Sequence, residues 1–248
     1  RAFRKAPAGF APAALMARTV PPASPAFPAT ARDSARDRSP AVGLLLSLRP
    51  GQWTKNFVVF AALIFSEQQL LKVPGQVLRS LAAFGVFCLL SGVVYLINDV
   101  RDREGDRLHP LKSRRPIAAG VVSPALALGA AAVGAVVAIA AAIAIGTPFA
   151  VVAGAYLALN TLYSATLKHV VILDVLTIAI GFVLRAVGGA VAINVEFSHW
   201  LLLCTLLLAL FIALSKRRAE IVALAEDATG HRRILSEYST HLLDQMIG

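Results

Sequence analysis

Charge is scarce in this 248-residue chain: 15% of its residues are charged and 57% are apolar, and its mean hydropathy is +0.70. A soluble domain of this size carries about a quarter charged residues, so the composition points to lipid as solvent and excludes a disordered chain. Cysteine is nearly missing. Cys88 and Cys204 each stand alone in an apolar run, which excludes a disulfide-stapled secreted module and leaves no metal-ligand spacing. Both read as small hydrophobes. The short apolar–polar alternation that a membrane β-barrel requires is absent as well. With no water in hydrocarbon to satisfy the backbone, helices are what remains. The expected fold is all-α, a polytopic transmembrane helix bundle.

Positive charge is unevenly spread. Of the net +10, residues 1–41 contribute +5, from seven Lys/Arg against Asp33 and Asp37. This stretch is rich in Pro and Ala, has little apolar surface to bury, and is expected to be a disordered basic tail. Pro7 and Pro12 interrupt its first apolar run and make it a poor signal peptide. The membrane domain is expected to occupy 42–248.

A transmembrane helix needs about 20 mostly apolar residues. Six stretches qualify: 54–71, 81–97, 123–145, 148–166, 170–193 and 197–215. The first is the weakest, because Lys55 and Glu67 shorten its apolar centre. From 117 to 167 no residue is charged, and Gly146-Thr147-Pro148 supplies the turn that divides this run into two spans. One end of the bundle gathers Arg49, Lys55, the six basic residues of 101–115, Lys168 and the five of 216–233, while the other has only Lys72 and Arg79. The positive-inside rule assigns the rich end to the cytoplasm. Such a chain belongs in the cell membrane, with no nucleic-acid partner; a homo-oligomer is compatible with it.

Chemistry is concentrated in Asn98-Asp99-Val100-Arg101-Asp102-Arg103-Glu104-Gly105-Asp106, just after the second span. Asp99, Asp102 and Asp106 are spaced i, i+3, i+7 and share one face if the helix continues. Hard carboxylate oxygens so placed suit Mg²⁺. The other reading is a solvated helix end, with Arg101, Arg103 and Arg107 neutralising the acids. Gly105 threatens to end the helix before Asp106. Arg185 is the one charge deep in an expected span; it either meets a phosphate or carboxylate of a site or bonds helix to helix. Lys168 and Tyr163 lie at the membrane boundary, where snorkelling and aromatic belts already account for them. Lys216, Arg217 and Arg218 either bind phosphate or anchor the chain at lipid headgroups. His109 lies in the aspartate loop but reads as solvated rather than catalytic.

The NDxxDxxxD pattern at 98–106 resembles the first aspartate-rich motif of the intramembrane prenyltransferase (UbiA) superfamily. Further stretches are similar to its decaprenyl-phosphate phosphoribosyltransferase branch. These are Arg49-Pro50-Gly51-Gln52-Trp53-Thr54-Lys55-Asn56, Tyr163-Ser164-Ala165-Thr166-Leu167-Lys168, Asp174-Val175 with Arg185 and Gly188-Gly189, and Ser215-Lys216-Arg217-Arg218-Ala219-Glu220. The resemblance runs from about residue 44 onward and implies a nine-helix bundle. This chain holds six spans and the start of a seventh at 240–247, so it is expected to be truncated at its C-terminus.

What the resemblance implies is transfer of 5-phosphoribose from phosphoribosyl diphosphate to a polyprenyl (decaprenyl) phosphate, in the supply of cell-wall arabinan. Mg²⁺ would be held by Asp99, Asp102 and Asp106, with Asp99 and Asp102 catalytic. Asn98, Lys55, Tyr163, Lys168, Arg185, Lys216, Arg217 and Arg218 would contact substrate. Members that use prenyl diphosphates carry a second acidic DxxxD motif after the sixth helix. Here that place is basic, with Glu226-Asp227 the nearest acidic pair. The rival activities are prenyl transfer to an aromatic acceptor and, further off, transport.

Overall fold

The structure is a computed structural model that describes residues 39–66, 70–109, 111–196, 198–226 and 240–248. The basic tail up to residue 38 lies outside the described residues, as do Glu67 and Asp227. Every element among them is helical. In chain order they are α1 (Pro40–Ser47), a 3₁₀ stretch (Pro50–Phe60) running into α2 (Ala61–Phe65), α3 (Pro74–Arg101), α4 (Arg103–Leu108), α5 (Pro124–Ile145), α6 (Thr147–Ala165), α7 (Leu173–Ala192), α8 (His199–Glu226) and α9 (Thr240–Ile247). Local chemistry sets several boundaries. Ser39 and Ser123 cap α1 and α5 by accepting the amides of Val42 and Leu126, and Pro40 and Pro124 occupy the first turn.

Among the described residues, five helices are long and apolar enough to cross a membrane: α3, α5, α6, α7 and His199–Val222 of α8. This is a multi-pass membrane protein. Burial divides the five into two classes. More than half of the apolar stretch is buried in α3 (61%) and α7 (56%), against 17% in α5 and α8. The middle of the bundle is therefore α3 and α7, and α5, α6 and α8 turn most of their surface outward. The core joins α3 to α6 through Phe87, whose ring meets Phe149 and Tyr156 edge-on at 5.8 and 5.3 Å.

Two expectations are corrected. The first expected span is no regular α-helix: it is 3₁₀ from Pro50 to Phe60 and α only from Ala61 to Phe65. In a 3₁₀ helix, side chains three apart eclipse, and Asn56, Val59 and Ala62 are indeed the buried stripe. At about 2.0 Å per 3₁₀ residue and 1.5 Å per α residue, the segment spans roughly 30 Å, bilayer depth in fewer residues than an α-helix needs. The second correction concerns 216–218, expected after the sixth span. They are part of α8, which continues to Glu226.

The 3₁₀ stretch approaches α7 at Gly188-Gly189. A Cβ on Gly189 would lie 1.9 Å from the Val59 carbonyl oxygen, and one on Gly188 would lie 2.6 Å from the Phe87 ring. Backbone against backbone has no soft side chain to yield. Gly189→Ala should lower stability by about 1–3 kcal/mol through forced separation of the two segments. Gly129→Ala on α5, where nothing lies within 4 Å, should be neutral or slightly stabilising. Thermal unfolding of both variants in the same detergent checks the contrast.

Candidate active site

The aspartate-rich segment does not run as one helix. α3 stops at Arg101, Asp102 has φ −89° and ψ 4°, and α4 resumes at Arg103 with Gly105 inside it. The expected break at Gly105 is thus at Asp102 instead. Helical bonding almost survives it: the Asp102 amide donates to Asn98 O and the Asp106 amide to Asp102 O, both at 2.8 Å. Asp99 and Asp106 face inward, at 3% and 4% exposure. Asp102 turns aside, 44% exposed, and accepts from Lys168 Nζ at 2.8 Å. Asn98 is half-buried beside them.

Two buried carboxylates near the end of a membrane helix demand cations, and these come from elsewhere in the chain. Arg115 Nη1 lies 3.1 Å from Asp99 Oδ1 and 2.6 Å from Asp106 Oδ2, so a single nitrogen bridges both acids. Arg49, in the left-handed region at φ 53°, donates to the same Asp99 oxygen while its guanidinium lies over the Tyr95 ring. The interleaved arginines are not the neutralising ones. Arg101 donates to Ala165 O, and Arg107 to Ala118 O and Glu104. His109 accepts the Leu111 and Lys112 amides at Nδ1 and shapes the loop. Its pKa is held below the usual histidine value, first by desolvation and then by the Lys112 charge.

Deeper in the bundle lies a buried polar cluster around Arg185. Its Nε donates to Asn56 Oδ1 (2.7 Å), Nη1 to Gly181 O (3.0 Å) and Nη2 to the Tyr156 hydroxyl (2.7 Å). Ser91 Oγ lies 3.1 Å from that hydroxyl, and Asn56 Nδ2 donates to Cys88 Sγ. Arg185 therefore ties the 3₁₀ stretch, α6 and α7 together through uncharged partners. No carboxylate forms an ion pair with it among the described residues.

Lys55 is exposed and forms no ion pair among the described residues, while the cations Lys216, Arg185 and Arg49 lie in its surroundings. The rest of the basic run is spent on packing. Arg217, 5% exposed, donates to Asp174 Oδ2 at 2.9 Å and Glu220 Oε2 at 2.6 Å, joining α8 to α7. Arg218 pairs with Asp244 on α9. Successive residues on a helix diverge by about 100°, so three adjacent cations cannot face one ligand. Only Lys216, 73% exposed, lies within electrostatic reach of Lys55. Tyr163 is half-buried near Arg217.

Among the described residues, no three His, Cys, Asp or Glu side chains are placed to hold a metal ion together. Asp99 and Asp106 do converge on one atom, Arg115 Nη1. Mg²⁺ is commonly held by one or two carboxylates, with water and substrate phosphates completing its shell. The pair has the chemistry and the convergence for a divalent cation, and Asp102 stands apart with Lys168. The residues that the sequence did not single out as site groups are Arg49, Asn56, Tyr156, Ser91 and Arg115. Arg49 and Asn56 bracket the quoted motif before the first span. Arg115 was visible only as loop charge.

The description of the UbiA prenyltransferase family matches residues 56–237. The chain belongs to that family. It is 37% identical to the decaprenyl-phosphate phosphoribosyltransferase of Corynebacterium glutamicum over 218 residues, covering 85% of this chain and 65% of that protein. To the protein of the same name from Mycolicibacterium smegmatis it is 37% identical over 206 residues, covering 81% of this chain and 64% of the other. The chain thus spans just under two thirds of the length of these curated relatives. Its fold is similar to that of a digeranylgeranylglyceryl phosphate synthase, with a TM-score of 0.63, 18% identity and coverage of 83% of this chain and 73% of that one. It is also similar to a UbiA homologue from Archaeoglobus fulgidus bound to DMAPP and Mg²⁺, at a TM-score of 0.57 and 18% identity, covering 82% of this chain and 83% of that one. At these identities the solved structures bear on fold alone.

In this UbiA-family chain the roles of Lys216 and Arg217 are separable. Arg217→Gln should cost about 3 kcal/mol of stability, because it takes the guanidinium from the buried Asp174 carboxylate. Lys216→Gln should leave thermal stability unchanged and weaken binding of an anionic ligand. Parallel melting curves and ligand titrations read both effects.

Proposed function

We propose that this chain carries the catalytic machinery of a polyprenyl-phosphate phosphoribosyltransferase. In this reading a phosphate oxygen of the lipid attacks C1 of phosphoribosyl diphosphate, the C1–O bond breaks, and diphosphate leaves. The observation that carries the proposal is the basic group at Lys55, Arg185 and Lys216: Lys55 and Arg185 meet no acid among the described residues, and Lys216 lies 4.0 Å from Glu220. An anionic ligand is what such a group lacks. The names of the curated relatives at 37% identity support the same substrate class.

The residues divide the work by position. Lys55 and Lys216, exposed at the loop-rich end, receive phosphate groups of the incoming donor. Arg185, held on three sides by Asn56, Tyr156 and Gly181, keeps a fixed positive potential at the inner end of the site and loses little freedom when an anion arrives. Asp102 and Lys168 tie the α3–α4 junction to the end of α6 and position the carboxylates. The nucleophile is already an anion, so no strong base is required. A divalent cation held by Asp99 and Asp106 would supply charge neutralisation for the departing diphosphate. The loop-rich end faces the cytoplasm, where the soluble donor is found, and the helices stand in the cell membrane with the lipid tail alongside them.

Membranes containing the protein, given labelled phosphoribosyl diphosphate and polyprenyl phosphate, should form a phosphoribosylated lipid. Asp99→Asn and Asp106→Asn should each lower kcat/KM by more than about 100-fold, and Asp102→Asn by less, since it stands outside the converging pair. In detergent, phosphoribosyl diphosphate with Mg²⁺ should raise Tm by mass action and ribose 5-phosphate should do much less. Stabilisation by a prenyl diphosphate, with none from millimolar phosphoribosyl diphosphate, overturns the assignment in favour of prenyl transfer.

A further inference from the structure

The position between Asp99 and Asp106 is already taken. Arg115 Nη1 lies 3.1 Å from one carboxylate and 2.6 Å from the other. Mg²⁺ and similar ions sit about 2.0–2.1 Å from their oxygens, so a cation bound between Asp99 Oδ1 and Asp106 Oδ2 would occupy much the same space as this nitrogen. A guanidinium cannot give up its charge to make room. Two cations cannot share that volume, and one has to leave.

Charge balance leads the same way. Two buried carboxylates, Asp99 and Asp106, face two guanidiniums, Arg49 and Arg115, and the group is neutral as it stands. Asp102 and Lys168 form a second neutral pair beside it. A divalent cation added without displacement would leave two uncompensated positive charges at a partly buried site. Arg49 touches Asp99 alone and stacks on Tyr95, so it need not move. Arg115 is the group in the way. It sits just after the short 3₁₀ turn Lys112–Arg114, and its neighbours Ile117 and Val122 are fully buried. The guanidinium can therefore swing out while the loop beyond it stays anchored.

We propose that Arg115 is a resident counter-ion, a positioning residue that holds the Asp99–Asp106 pair closed and is displaced by the divalent cation when it binds. The inference rests on the reading of Asp99 and Asp106 as cation ligands. Its consequence is that cation affinity is set by competition. The protein alone binds the ion weakly, and the freed guanidinium becomes one more donor facing an anionic ligand.

The test is Mn²⁺ binding to the detergent-solubilised protein, followed by electron paramagnetic resonance without substrate. Arg115→Gln should bind Mn²⁺ roughly tenfold more tightly than the wild type, a coupling of ordinary size. Arg115→Lys, which restores the charge, should return affinity toward the wild-type value, and Asp106→Asn should abolish binding in either background. Unchanged or weaker binding in Arg115→Gln, with normal wild-type binding, overturns the counter-ion role and leaves the metal reading standing. No Mn²⁺ binding in any form removes the metal reading and this inference with it. A second measurement needs no variant: in the wild type, saturating Mn²⁺ should speed amide exchange at 111–115 as the Arg115 tether is lost. Exchange unchanged by bound Mn²⁺ overturns the displacement.

Discussion

Ionised groups at membrane depth need partners inside the protein, and most of this structure answers to that constraint. Asp99 and Asp106 are buried at the loop-rich end of the bundle, and each draws a guanidinium from a different stretch of chain. Asp174, fully buried on α7, draws Arg217 from α8. Each pairing fixes a tertiary distance: the approach to the 3₁₀ stretch, the return of the 112–122 loop, and the seating of α8 against α7. Apolar contact cannot easily do this in lipid, because leaving a neighbour for lipid tails costs an apolar side chain little. Arg185 is the exception, satisfied only by uncharged oxygens.

Much of the architecture was legible in the sequence, because hydropathy and turn chemistry report the same boundaries. The uncharged run from 117 to 167 divides at Gly146 as its turn residues predict, into α5 and α6. The first span is less legible, because Lys55 and Glu67 shorten its apolar centre and its buried residues recur at every third position. Asn56, Val59 and Ala62 carry that stripe, and a period of three is what distinguishes a 3₁₀ helix from an α-helix of period 3.6.

The site was legible in part, and what was missed has a physical cause. Spacing along one helix placed Asp99 and Asp106 together correctly, because i and i+7 stay aligned across two turns. Asp102 departs from that shared face, since the chain breaks at that residue and Lys168, from beyond α6, supplies a partner. The alternative reading, a solvated helix end, takes Arg101, Arg103 and Arg107 as the balancing charges. The cations that meet the acids are instead 50 and 16 residues from Asp99 along the chain, a separation that local pattern cannot reveal. Arg217 and Arg218 are drawn into ion pairs with Asp174, Glu220 and Asp244 because α8 continues through them.

That Lys216, Arg217 and Arg218 are successive residues of α8 gives this part of the chain a strict reading frame. Removing one residue between the membrane-facing part of α8 and Lys216 would rotate everything beyond it by about 100° and draw it back by about 1.5 Å. Arg217 would then stand near the direction of Lys216, and Arg218 would be turned toward the buried Asp174. The composition of the segment, its charge and its hydropathy would hardly change. A single-residue deletion there is therefore disruptive even though it leaves the composition almost unchanged, whereas the turn at Gly146 should tolerate length variation with little effect on the site.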